Sequence, residues 1–94
     1  MDTTELATSW QRDGYLEVET KQVMPNVSRA PHAHPFDARA LILAGELTLT
    51  WEGQTHTFRV GETFDMPAGC VHSEQYGPEA TPFLLGRRHL SSSR

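Results

Sequence analysis

Three histidines carry the chemistry that this chain can do. His32-Ala33-His34 places two imidazoles at i and i+2, and the segment Pro67-Ala68-Gly69-Cys70-Val71-His72 ends on a third. Residues i and i+2 of an extended strand project from one face, so the first pair can share a target. His72 lies 38 residues beyond His34, so it meets them only if the chain folds back on itself. Three converging neutral imidazoles suit one divalent transition metal per chain (Zn, Fe, Ni or Cu) at about 2.0–2.2 Å. Such a set leaves open positions for water, a substrate or dioxygen. The expected metal ligands are therefore His32, His34 and His72.

Side chains near the histidines extend this chemistry. Glu74 follows His72 by two positions and points the same way on a continuing strand. It can serve as a fourth ligand, an acceptor for an imidazole N–H, or a general base. Tyr76 shares that parity and can present its phenol to the same space, or sit in the core. Glu74 and Tyr76 are the candidate catalytic residues. Cys70 can line the pocket or ligate as a thiolate; a free cysteine is also a small buried apolar residue. Asp37 faces outward by parity unless the strand carries a bulge. Arg39 can pair with Asp37 or Glu74, hold a substrate carboxylate if it faces inward, or lie exposed. Phe36, Phe64, Met66 and Phe83 are candidate walls of a cavity or core.

The elements that must position these groups are mostly strands. Residues 3–12 read as one short helix, capped by Thr3 or Thr4 and stopped by Gly14. Leu16 to Lys21 alternates apolar with charged residues, as a half-buried strand does. Pro25, Asn26 and Pro31 mark a turn region. Ala40-Leu41-Ile42-Leu43 suits a strand buried on both faces. In Glu46 to Trp51, Leu47, Leu49 and Trp51 share one face, and Glu52-Gly53-Gln54 turns the chain into a return strand carrying His56, Phe58 and Val60. Thr63 to Met66, His72 to Tyr76 and Pro82 to Arg88 complete the set. Short strands with turn signals every eight to twelve residues predict an all-β, antiparallel jelly-roll barrel with a central cavity. His56 then falls at a barrel end, and no role is assigned to His89. The expected organisation is an N-terminal arm or short helix over 1–14, a barrel over 15–90, and a disordered tail over 91–94.

Composition narrows the function classes. The chain has 94 residues, a formal charge of −4 and 37% hydrophobic residues. That is one domain with a lean core, for which a bound metal or a homodimer interface would help. The acidic balance argues against a nucleic-acid partner, and no apolar run of about 18 residues suggests a membrane span. A single cysteine rules out an internal disulfide and fits a cytoplasmic setting. The expected partner is a small molecule.

With these residues in place the chain resembles the cupins, small jelly-roll barrels with an interior metal site. The first cupin motif has two histidines one residue apart, a glutamate three or four residues on, and a glycine after six more; here His32, His34 and Gly45 hold their places. The second has a glycine, five residues, Pro-x-Gly, two residues, a histidine, and an asparagine four positions later; here Gly61, Pro67, Gly69 and His72 match. The resemblance covers roughly residues 28–88, with the stretch from Ala44 to Thr63 as the inter-motif hairpin. It departs at two places. The glutamate position holds Ala38 (Arg39 by the longer spacing), and the asparagine position holds Tyr76. The resemblance implies a metal-binding barrel acting on a small molecule, of the kind found in thiol- and diketone-cleaving dioxygenases. The alternatives it implies, in second and third place, are a non-catalytic sensor or regulatory barrel and an isomerase with Glu74 as base.

Overall fold

The computed structural model describes residues 2–89. One helix, α1 (Thr4–Arg12), precedes eight strands: β1 (Glu17–Val23), β2 (Ser28–His32), β3 (Phe36–Ile42), β4 (Glu46–Trp51), β5 (Gln54–Arg59), β6 (Thr63–Met66), β7 (His72–Tyr76) and β8 (Thr81–His89). They form two four-stranded antiparallel sheets, ordered β1-β8-β3-β6 and β2-β7-β4-β5. This is the expected jelly roll with its short N-terminal helix. The expected tail over 91–94 lies outside the described residues.

The inner faces of the two sheets meet in a core containing Ala38, Ala40, Ile42, Leu47, Leu49, Met66, Tyr76 and Phe83. Strand β3 is buried on both faces. Ala40 and Ile42 point into the barrel, while Leu41 joins Trp10, Tyr15 and Leu84 in a second cluster beneath α1. The helix can lie this close because β8 carries Gly86, where a Cβ would stand 2.9 Å from the Trp10 ring. At the start of α1 the Thr4 N–H donates to Asp2 Oδ1, so Asp2 rather than a threonine satisfies the free amide. Gly14, at φ +98°, ends that segment as expected.

The region punctuated by Pro25, Asn26 and Pro31 holds a strand the sequence pattern did not reveal. β2 lies at a sheet edge, and its pairing with β7 shifts register between Arg29 and His32. Proline is tolerated at such places because its missing N–H breaks no required ladder bond. The irregularity has a consequence for the site. Arg29 faces Glu74 and His32 faces His72, so three residues on β2 span two on β7. The extra residue reverses parity and keeps Arg29 and His32 on the same side of the sheet.

Candidate metal centre

Two adjacent strands and one turn assemble the centre. His32 ends β2, His72 and Glu74 lie on β7, and His34 follows in the connection to β3. The two early histidines therefore do not share one continuing strand; the chain leaves β2 between them. The imidazole centroids are 4.4 Å apart for His32–His72, 5.0 Å for His32–His34 and 5.2 Å for His34–His72. Ligating atoms of His32, His34, His72 and Glu74 all lie within 4.8 Å of one another. Donors bound at about 2.0–2.2 Å to a tetrahedral ion stand roughly 3.3–3.6 Å apart, so the most widely spaced donors would draw together by roughly an ångström to close on a metal.

Protonation supports the same reading. His32 Nδ1 is 2.8 Å from the Ala30 carbonyl and His72 Nδ1 is 3.0 Å from the Cys70 carbonyl. A carbonyl only accepts, so each Nδ1 carries a proton and each ring turns its Nε2 toward the centre. Those Nε2 atoms face Glu74 Oε2 at 3.1 Å and 3.5 Å. Unprotonated, these Nε2 atoms can share one metal ion with Glu74 Oε2; protonated, they donate to the same carboxylate. Burial, followed by the neighbouring His72 and His32, lowers the His34 pKa and favours its neutral, ligating form.

Glu74 is placed to fill the role that the sequence left vacant. Ala38 lines the cavity from β3, but its side chain bears no ligating atom; the carboxylate reaches the centre from β7. Its other oxygen, Oε1, accepts a 2.7 Å hydrogen bond from the Tyr76 phenol and stands 3.6 Å from Arg29 Nε. The Tyr76 pKa is raised, first by burial and then by its bond to Glu74. The phenol is therefore a donor that fixes the carboxylate.

A contact not foreseen from sequence holds the turn of the second motif against the first. Gly69, at φ +79°, donates its N–H to the His34 carbonyl at 2.9 Å. A left-handed residue is required there, which suits glycine. One residue earlier the Ala68 N–H donates to Asp37 Oδ1 at 2.8 Å, and Arg88 donates to Asp37 Oδ2 at 2.9 and 3.1 Å. Asp37 faces outward and ties three elements together; it is not among the ligands. The backbone amide and Arg88 hold its pKa below the ordinary carboxylate value.

Arg39 likewise points away from the cavity. It donates to Asp65 at 2.7 Å and to Asp13 at 3.0 Å, with its guanidinium 4.3 Å from the Tyr15 ring centroid. It pairs with neither Asp37 nor Glu74, and the inward, carboxylate-holding reading is corrected. Cys70 packs partly buried against the core outside the ligand cluster. His56 is exposed beside Phe58, and His89 pairs with Glu17 at 2.9 Å.

The centre opens into a cavity of about 540 Å³ whose walls include Phe36, Phe64, Met66 and Phe83, as expected, together with Leu47 and Leu49. Among the described residues, no helix is long and apolar enough to cross a membrane.

A two-sheet jelly roll enclosing a histidine–carboxylate cluster defines a barrel of the cupin kind. The family model described as "Cupin domain" matches residues 20–76, and the chain belongs to that family. No curated protein sequence matches it. Solved structures share the fold. A conserved protein of unknown function from Streptococcus pyogenes is 28% identical, with 80% of this chain and 65% of that one covered and a TM-score of 0.69. DMSP lyase DddQ from Ruegeria pomeroyi is 20% identical, with 82% and 40% covered and a TM-score of 0.69. KdgF from Halomonas sp. is 17% identical, with 78% and 69% covered and a TM-score of 0.64. The chain thus spans under two thirds of the length of the streptococcal protein and of the lyase.

Proposed function

We propose that this chain is a metal-dependent enzyme of the oxygenase type, acting on a small molecule inside the barrel. The observation that carries the reading is the convergence of His32, His34, His72 and Glu74 on the cavity. Four ligands leave two positions of an octahedral ion open. A divalent metal held there would supply Lewis acidity and, if iron, a means of bringing dioxygen to the substrate.

The cavity's own side chains favour this over acid–base chemistry without redox. Its ionisable groups beyond the four ligands are Lys21, Arg29, Arg87 and Tyr76. Three are cations, and the phenol is held protonated by burial and by Glu74. Among the described residues the lining holds no carboxylate besides Glu74 and no imidazole besides the three of the centre, and Glu74 Oε1 is engaged by Tyr76. These residues bind, orient and exclude water.

The test is metal analysis of protein purified without chelator or affinity tag, followed by oxygen-electrode measurements on iron-loaded protein with a thiol, a 1,3-diketone and a phenol. The reading predicts one metal per chain and substrate-dependent oxygen uptake that is lost in His34→Ala. Iron bound in full with no uptake on any substrate, or zinc or nickel as the resident metal, would overturn the redox assignment.

A further inference from the structure

The charges around the cavity identify the class of molecule that enters it. The chain as a whole is acidic, at −4, yet the cavity is lined by Lys21, Arg29 and Arg87 against one carboxylate, Glu74. Arg87 is balanced by Glu19 and lies 3.8 Å from Glu17. The other two cations are less committed. Arg29 is half exposed, and its Nε stands 3.6 Å from Glu74, beyond hydrogen-bond length. Lys21 makes no ion pair within 4.0 Å among the described residues. The register shift in β2 is what turns Arg29 to the same side as His32.

The rest of the wall is apolar, with Leu47, Leu49, Phe64, Met66, Phe83 and Leu85 facing the space. A volume of about 540 Å³ falls within the roughly 300–1,000 Å³ range of small-molecule sites. We infer that the ligand of this cavity is a small organic carboxylate with an apolar body, its carboxylate held by Arg29 and Lys21. A guanidinium presents paired donors that match a carboxylate. The apolar wall takes the hydrocarbon portion, which an inorganic oxyanion lacks. The inference rests on the proposed function only for where the ligand sits. A bound divalent ion with one carboxylate and three neutral imidazoles would give the centre a net charge of +1 and strengthen the same preference.

The experiment is a calorimetric titration of the full chain, zinc-loaded and chelator-treated, with hexanoate, 1-hexanol, hexylamine and inorganic phosphate. Hexanoate should bind saturably and about tenfold more tightly than 1-hexanol, with hexylamine weakest. Arg29→Met and Lys21→Met should each weaken hexanoate several-fold and leave 1-hexanol within about twofold. Unchanged thermal unfolding of at least one variant confirms that the fold is kept. Equal affinity for hexanoate and 1-hexanol, preference for hexylamine, or phosphate binding as tightly as hexanoate would each overturn the inference. Because the metal is assayed separately, failure to bind any divalent transition metal removes the proposed function while the carboxylate preference in chelator-treated protein still decides this point.

Discussion

Replacing Tyr76 by phenylalanine tests how the carboxylate of the centre is held. The phenol donates to Glu74 Oε1 at 2.7 Å, while Oε2 faces the His32 and His72 rings. Tyr76 is 3% exposed, so phenylalanine keeps the packing and removes only the hydroxyl. A hydrogen bond to a charged group contributes about 1.5–3 kcal/mol, equivalent to a factor of roughly 10–150 in an equilibrium constant. Groups that orient a metal ligand typically contribute about 10–100-fold in affinity. The two estimates overlap, so Tyr76→Phe should weaken zinc binding by about 10–100-fold. Competition against a chromophoric chelator measures it, and thermal unfolding of metal-free protein reports any separate loss of stability. Zinc affinity within about twofold of the parent would refute the idea that Tyr76 positions the ligand.

Other substitutions probe the supports of the site and fold. Glu74→Gln keeps size and the Tyr76 contact but removes the charge, and should lower zinc affinity more than Tyr76→Phe does in the same competition assay. Asp37→Asn should cost about 1 kcal/mol at neutral pH, by loss of the charged bond to Arg88. Because the folded pKa of Asp37 is lowered, that stabilisation is present above the unfolded-state carboxylate value and is lost as pH falls through the folded value. Denaturant unfolding should therefore show the parent and Asn variant converging below about pH 4, and a pH-independent difference would count against the charge. Gly86→Ala forces a Cβ to within 2.9 Å of Trp10 and 3.2 Å of Tyr15. It should cost about 1–3 kcal/mol and change Trp10 fluorescence as α1 shifts.

The histidines were legible because their spacing recurs with turn residues that have separate physical duties. Gly69 is needed at positive φ and donates to His34 itself, so the same short motif encodes both the third ligand and the bond that sets the second. Strands such as β4 were legible from alternation, since Leu47 and Leu49 point into the core while Thr48 and Thr50 pair outward with Thr57 and Thr55. β2 was not, because Pro31 reads as a breaker unless the strand is known to be an irregular sheet edge. The direction of Arg39 was also hidden. Its partners Asp13 and Asp65 each lie 26 residues away, and only the β3–β6 pairing and the packing of α1 bring them together. Glu74 was visible by parity as a candidate. Its relation to Ala38, on a strand of the opposite sheet, depends on the tertiary fold.

The proposed function requires His32, His34, His72 and Glu74 to hold one metal ion. Anomalous diffraction at the absorption edge of the metal found by elemental analysis tests it most directly. One peak per chain is expected, about 2.0–2.2 Å from each histidine nitrogen and from Glu74 Oε2. A peak bound by the histidines alone with Glu74 turned away would contradict the four-ligand centre. Absence of any peak in chelator-free protein would contradict the metal site itself.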